Sequence, residues 1–134
     1  MQIIELSPQQ VDYIETQLEA YDNSHIPFKQ EGSIRLGILE NGELIAGVDA
    51  CMTAYHILYV STAFVADGYR RQGYGKTLIL ELEKRAKLLG ADTIRLDTFD
   101  WQGKQFYEAL GYQIVGSYEN KEDGYCEYFF LKRI

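Results

Sequence analysis

Apolar and polar positions change period along this chain, and the changes divide it into short elements. Residues 2–6 alternate, which predicts a short first strand. Ser7-Pro8 then opens a helix, with Ser7 as N-cap and Pro8 at the first helical position. Val11, Ile14 and Leu18 give that helix an apolar stripe, which runs to about Tyr21. Asp22 to Gly32 has no period and contains Pro27, so it reads as a loop. Ile34 to Leu39, the turn Asn41-Gly42 and Leu44 to about Ala54 predict a hairpin. Leu58 to Val65 is nearly all apolar or β-branched, the pattern of a strand buried on both faces. From Gly73 the period becomes helical. Leu78, Leu82, Ala86 and Leu89 share one face, Glu81, Glu83, Lys84, Arg85 and Lys87 take the other, and Gly90 ends the helix. Thr93 to Thr98 predicts a strand, and Gln102 to Leu110 a short helix stopping at Gly111. Tyr112 to Tyr118 and Tyr125 to Lys132 predict a terminal antiparallel pair, joined by the polar loop 119–124.

Strand, glycine-rich turn, helix, strand is a βαβ unit, so Leu58–Val65 and Thr93–Thr98 should run parallel within an otherwise antiparallel sheet. The expected class is α/β in the mixed α+β sense, a central mixed sheet of about six or seven strands with helices on both faces. The 134 residues suffice for one core, so residues 1–134 read as one domain.

Composition narrows the partners. The net charge of −7 opposes non-specific binding to nucleic acid or to an anionic membrane surface, and mildly favours a cationic substrate. No apolar run is long enough to span a bilayer, and Met1 to Leu6 shows no leader pattern. The two cysteines, Cys51 and Cys126, lie in apolar or aromatic stretches and suggest reduced thiols in a cytoplasm. No His, Cys or Asp spacing suggests a metal site.

Arg70-Arg71-Gln72-Gly73-Tyr74-Gly75-Lys76 carries the candidate chemistry. A strand ends, glycines turn the chain, and a helix begins. The first amides of a helix lack internal partners and carry partial positive charge, so such a start can cradle a phosphate. Arg70, Arg71 and Lys76 add three cations in an acidic chain. A Walker A loop would need glycine where Arg70 stands, and a dinucleotide fingerprint would need it where Leu78 stands.

The segment resembles the cofactor motif [QR]-x-x-G-x-[GA] of the GNAT acetyltransferase superfamily. Ala63-Phe64-Val65-Ala66-Asp67-Gly68-Tyr69 before it, Thr93-Ile94-Arg95-Leu96-Asp97-Thr98 after it, and Phe106-Tyr107-Glu108-Ala109-Leu110-Gly111-Tyr112 are similar to neighbouring elements of that family. The resemblance covers residues 34–132 well. It implies two parallel strands splayed into a V, with acetyl-CoA lying between them. The pantetheine arm would pair near Ala63, Phe64 and Val65, and the pyrophosphate would sit on the amides of Arg71, Gln72, Gly73, Tyr74, Gly75 and Lys76 beside Arg70. It implies acetyl transfer to a primary amine of a small molecule or peptide by direct attack, with an amide of Phe64 or Val65 as oxyanion donor and Tyr107 as general acid. A non-catalytic acyl-CoA-binding module is the alternative. Many relatives carry Asn and Ala where this chain has Asp100 and Gly103, so Asp100 is the counterpart of a cofactor contact and can cap the short helix. Asp97, Asp49, Glu119 and His56 are the candidate bases. Many members of the family dimerise, so the resemblance also implies a candidate homodimer.

Overall fold

The computed structural model describes residues 1–26 and 31–134. Helix α1 spans Pro8–His25 and helices α2 and α3 span Tyr74–Leu88 and Lys104–Ala109. Strands β1 (Ser33–Glu40), β2 (Glu43–Met52), β3 (Ile57–Val65), β4 (Thr93–Phe99), β5 (Gln113–Asn120) and β6 (Tyr125–Arg133) form one sheet in the order β1-β2-β3-β4-β6-β5. Among the described strands, only β3 and β4 pair in parallel, as the βαβ pattern requires.

Local signals account for most boundaries. Ser7 and Gln10 make a reciprocal capping box at the start of α1. Asn41 and Gly42 both take positive φ, 52° and 79°, as a tight hairpin turn demands. Gly90, at φ 95°, ends the α2 segment. Two boundaries differ from expectation. Helix α1 continues four residues past Tyr21 to His25, so the loop starts later; of that loop, Pro27 and its neighbours 28–30 lie outside the described residues. The short helix begins at Lys104 rather than Gln102.

The core lies on one face of the sheet. Ile34, Val48, Ala50, Leu58, Val60, Ile94, Leu96 and Phe130 point toward Leu78, Ile79, Leu82 and Ala86 of α2. Helix α3 lies over the same face, since Tyr107 packs on Phe130. The expected helices on both faces are therefore not both supplied by α2 and α3. The opposite face, including Arg35, Leu39, Leu44, Phe64, Asp97 and Phe129, is largely exposed. Strand β3 is accordingly exposed from Ser61 to Phe64 rather than buried on both sides.

One N-terminal expectation fails, the strand at residues 2–6. Among the described residues, 2–6 pair with no strand and α1 buries none of its own; Val11, Ile14 and Leu18 remain 37, 49 and 60% exposed. The periodicity correctly marks an apolar face, which stays largely exposed, with Leu18 and the core residue Met52 lining one open groove.

Glu83 also departs from its expected solvent-facing place. It is buried, and Lys132 Nζ donates to both its carboxylate oxygens at 2.7 and 3.0 Å. The Tyr112 hydroxyl donates to Oε1 at 3.4 Å. Burial, reinforced by the Glu83 charge, pushes the Tyr112 phenol well above its ordinary value. This network ties α2 to β6. Replacing Lys132 by Met would strand the Glu83 carboxylate, at a cost of about 3 kcal/mol, the low end for a broken buried pair because Lys132 keeps 23% of its side chain in water. Urea unfolding of K132M should show that loss; a midpoint equal to wild type would make the pair energetically idle.

Candidate functional site

Strands β3 and β4 are ladder partners at three positions only, Ile57 with Thr93, Leu58 with Ile94 and Tyr59 with Arg95. Beyond Tyr59, β3 runs six more residues and β4 four more without pairing to each other. The register of β3 against β2 shifts here, because Asp49 faces Thr62 while Ala50 faces Val60, leaving Ser61 unopposed. Such a bulge bends its strand, and the Ser61 hydroxyl pins it by donating to the Asp49 carbonyl at 3.1 Å. The result is a V-shaped cleft, open from Val60 to Val65 on one wall and from Leu96 to Phe99 on the other. Unpaired strand edges present backbone groups to any extended ligand.

The glycine segment sits at the end of the β3 wall. Gly73 takes φ 89° as the N-cap of α2. Arg71 takes φ 61°, uncommon for a residue with a side chain. Among the described residues, no backbone amide from Arg71 to Lys76 donates to an acceptor of the chain. The loop is braced by side chains: Arg70 Nε donates to the Val65 carbonyl at 2.9 Å, and Gln72 Nε2 to the Gly68 carbonyl at 2.9 Å. Arg70 thus ties the loop to the strand, while Arg71 and Lys76 have no ion-pair partner among the described residues. A Cβ at Gly75 would lie 3.2 Å from Phe106 Cζ and 3.5 Å from Val65 Cγ2, so the Phe106 ring would have to give slightly to admit one.

Helix α3 spans the mouth of the cleft. Phe106 packs against Gly75 and Val65 on the β3 side, and Tyr107 packs against Phe130 and Tyr112 on the other. Tyr107 is buried, and no hydrogen bond to its hydroxyl is present among the described residues. Burial raises its phenol to about 12. Gly103 explains how the ring fits, since a Cβ there would lie 2.9 Å from Tyr107 Cε2.

Asp100 does not cap α3. Its amide donates to the Cys126 carbonyl and its carboxylate accepts from the Cys126 amide, extending the β4–β6 ladder. Gly103 is the N-cap instead, with its amide donating to Thr98 Oγ1 at 3.0 Å.

The four candidate bases separate. His56 lies at the closed end of the V, with Nδ1 against the Gly90 carbonyl at 2.9 Å. Glu119 is on β5 opposite Cys126, at the far edge of the sheet. Asp49 is on the exposed sheet face, paired with Arg35 at 3.1 Å. Asp97 stands on the β4 wall, where its Oδ2 accepts from the Tyr59 hydroxyl at 3.0 Å. Burial and that bond raise the Tyr59 phenol, so Tyr59 stays a donor and holds the carboxylate. The sequence reading missed Tyr59 as a site residue. Its partnership with Asp97 becomes visible only once the parallel register is known. Likewise Phe99, Trp101, Tyr118 and Tyr125, successive ring neighbours at 5.5 to 6.2 Å, form an aromatic group beside this wall. Among the described residues, no group of three or more His, Cys, Asp or Glu is placed to hold a metal ion, and no helix is long and apolar enough to cross a membrane.

A parted parallel pair with an unsatisfied helix start at its end is the layout that the family resemblance implies. The chain belongs to the acetyltransferase (GNAT) family, whose model matches residues 2–112. It is similar to a blasticidin-S acetyltransferase of Streptomyces morookaense, 29% identical over 71% of this chain and 70% of the relative. An acetyltransferase from Bacillus cereus superposes with a TM-score of 0.93 at 29% identity, covering 100% of this chain and 98% of that one. An aminoglycoside 6'-N-acetyltransferase complexed with coenzyme A shares the fold, with a TM-score of 0.66 at 20% identity over 99% of this chain and 97% of that one.

The Gly103 contact is testable. Gly103→Ala should leave the fold intact, because φ −117° suits alanine, yet displace the Tyr107 ring. Turnover should fall about tenfold, the effect of roughly 1.4 kcal/mol on a barrier, with unchanged acetyl-CoA affinity by calorimetry. Full turnover in G103A would show that the ring position is not critical.

Proposed function

We propose that this chain transfers an acetyl group from acetyl-CoA to a primary amine of a small molecule or peptide, by direct attack in a ternary complex. The observation that carries this is the β3–β4 cleft ending on the unpaired amides of Arg71 to Lys76. Those amides, with the Arg71 and Lys76 side chains, would receive the pyrophosphate. The unpaired edge at Ala63, Phe64 and Val65 would take the pantetheine arm as an added strand, and would place the thioester between the two walls. An amide of Phe64 or Val65 would stabilise the oxyanion.

The amine must lose a proton and the departing thiolate must gain one. Asp97 is the base that the geometry favours among the four carboxylate and imidazole candidates, since it lines the cleft and Tyr59 orients it. Tyr107 is the donor to sulfur. A phenol held near 12 stays protonated through the physiological range, so it can hydrogen-bond a thiolate but never compete with the amine as a nucleophile. Its high value also makes complete transfer to a thiolate of ordinary pKa about 8.5 uphill, so the phenol acts by stabilising the leaving sulfur while solvent settles the proton. Acidic and aromatic groups around the β4 wall, with the chain's net charge of −7, suit a cationic acceptor.

Tyr107→Phe should bind acetyl-CoA normally and lose turnover about a hundredfold, as expected for removal of a hydrogen-bond donor to the developing charge on the leaving sulfur. Free thiol released over a panel of polyamines, aminoglycosides, amino acids and peptides measures this. Unchanged kcat would take Tyr107 out of the mechanism, and silence over the panel would favour a binding module. The pH profile supplies a second check. A raised phenol keeps its proton as pH rises, so the wild-type rate should show no Tyr107 fall between pH 7 and about 10. A fall near pH 9 that is absent in Y107F would mean the phenol titrates too early for this role.

A further inference from the structure

The sheet face away from α2 and α3 changes character toward β5 and β6, where it gathers rings. In the register Glu127 of β6 stands between Phe99 of β4 and Tyr118 of β5, so these three side chains share that face. Tyr125 and Phe129, two residues either side of Glu127 on its strand, share it too. Trp101 stacks on Phe99 at 5.5 Å with 3° between the ring planes, and Tyr125 meets Phe99 in a T-shape at 5.7 Å. Trp101 keeps 72% of its surface in water and Tyr118 keeps 52%. Strand propensity accounts for rings on β4, β5 and β6. It does not account for Trp101, which sits in the turn after β4.

Two carboxylates belong to this ring group. Glu127 makes no hydrogen bond or ion pair among the described residues. Asp97, which faces Phe129, is its diagonal neighbour across the β4–β6 ladder, roughly 7–8 Å away. After burial and the Asp97 hydrogen bond, the charges of Asp97 and Glu127 both help to raise the Tyr59 phenol, which places them around one spot. Asp49, further across the face, is already engaged by Arg35. The chain's own cation here is Arg95, two residues from Asp97 toward the closed end of the V. Its guanidinium lies 4.5 Å over the Tyr59 ring, beside the Asp97 carboxylate that Tyr59 holds. That is one cation on a ring with a carboxylate at its side. The same combination recurs toward the open end at Glu127, and among the described residues no lysine or arginine lies over Phe99, Trp101, Tyr118 or Tyr125. Ring faces are electrically negative and attract ammonium and guanidinium groups, which an adjacent carboxylate strengthens.

We propose that Glu127 and the rings around it, Phe99, Trp101 and Tyr118, bind a second cationic group of the acceptor, so that the substrates are diamines rather than monoamines. The naming of this ligand as an acceptor rests on the acetyl-transfer reading, in which the reacting amine lies at Asp97. Phe99 is two residues beyond Asp97 on an extended strand, which sets the second cation about 7 Å from the reacting nitrogen, the span of a short alkyl chain. Specificity then comes from a turn residue and the last two strands, outside the elements that would hold the acetyl donor.

Trp101 is the one tryptophan of the chain, so its emission reports this face. The protein is titrated with 1,4-diaminobutane and with 1-aminobutane, at physiological salt and without acetyl-CoA, so the result does not depend on acetyl transfer. Calorimetry should show the diamine binding about tenfold more tightly, the combined effect of ring and carboxylate contacts, and Trp101 emission should change along the same isotherm. Glu127→Gln should bring the two amines within about threefold of each other, the residue left to the rings alone. Glu119→Gln removes the same charge from the opposite face of the same hairpin and should keep the full preference. Equal affinities in wild type overturn the proposal. So do a preference that survives E127Q, one that E119Q abolishes as well, and diamine binding that leaves Trp101 emission unmoved. Diamine binding as stated, with no thiol released once acetyl-CoA is added, would leave the subsite standing and sink the acetyl-transfer reading.

Discussion

The parting of β3 from β4 after three ladder positions is the constraint on which the site depends. A parallel pair that zipped to its end would satisfy its own backbone and leave nothing to offer a ligand. The Ser61 bulge interrupts that closure, and its hydroxyl fixes the irregularity to β2. Everything near the cleft then serves to keep the gap from collapsing. Helix α3 bridges it with one aromatic ring on each side, and Gly75 lets α2 press against Phe106 and Val65 without forcing them apart. Below the gap, Tyr59 spans to Asp97 with a single hydrogen bond where a ladder would have placed several.

The frame around the gap is rigid on one side and bare on the other. The Glu83–Lys132–Tyr112 network joins the main helix to β6, and the ring contacts of Tyr107 with Tyr112 and Phe130 continue from it. Tyr112, which braces the frame, and Tyr107, the proposed donor, thus share one packed cluster, and the position of the buried Tyr107 ring is set by Tyr112 and Phe130.

Features encoded within a few residues were legible in the sequence. Ser7-Pro8, Asn41-Gly42 and Gly90 each dictate a backbone state by local sterics or a single hydrogen bond, and the structure places a boundary at each. The glycine loop and the parallel strand pair were legible for the same reason, and the family match agrees with them. What escaped depends on distant partners. Glu83 sits at a position that reads as solvent-facing, and only Lys132, forty-nine residues on, makes its burial tolerable. Asp100 looks like a helix cap until Cys126 claims it. The stripe on α1 shows the limit most plainly, because periodicity reports that a face is apolar and is silent about which surface it meets.

Returning to the loop before α2, its Arg70 and Gln72 side chains both fold back on the chain that precedes them, onto Val65 and Gly68. Arg70 Nε and Gln72 Nε2 donate to the carbonyls there, which leaves the main-chain amides of the loop, with Arg71 and Lys76, as the groups open to a ligand. A pattern search that finds this loop is therefore detecting its scaffolding. If the loop holds the acetyl donor as proposed, that grip rests largely on backbone groups, and the choice of acceptor has to be written in other parts of the chain.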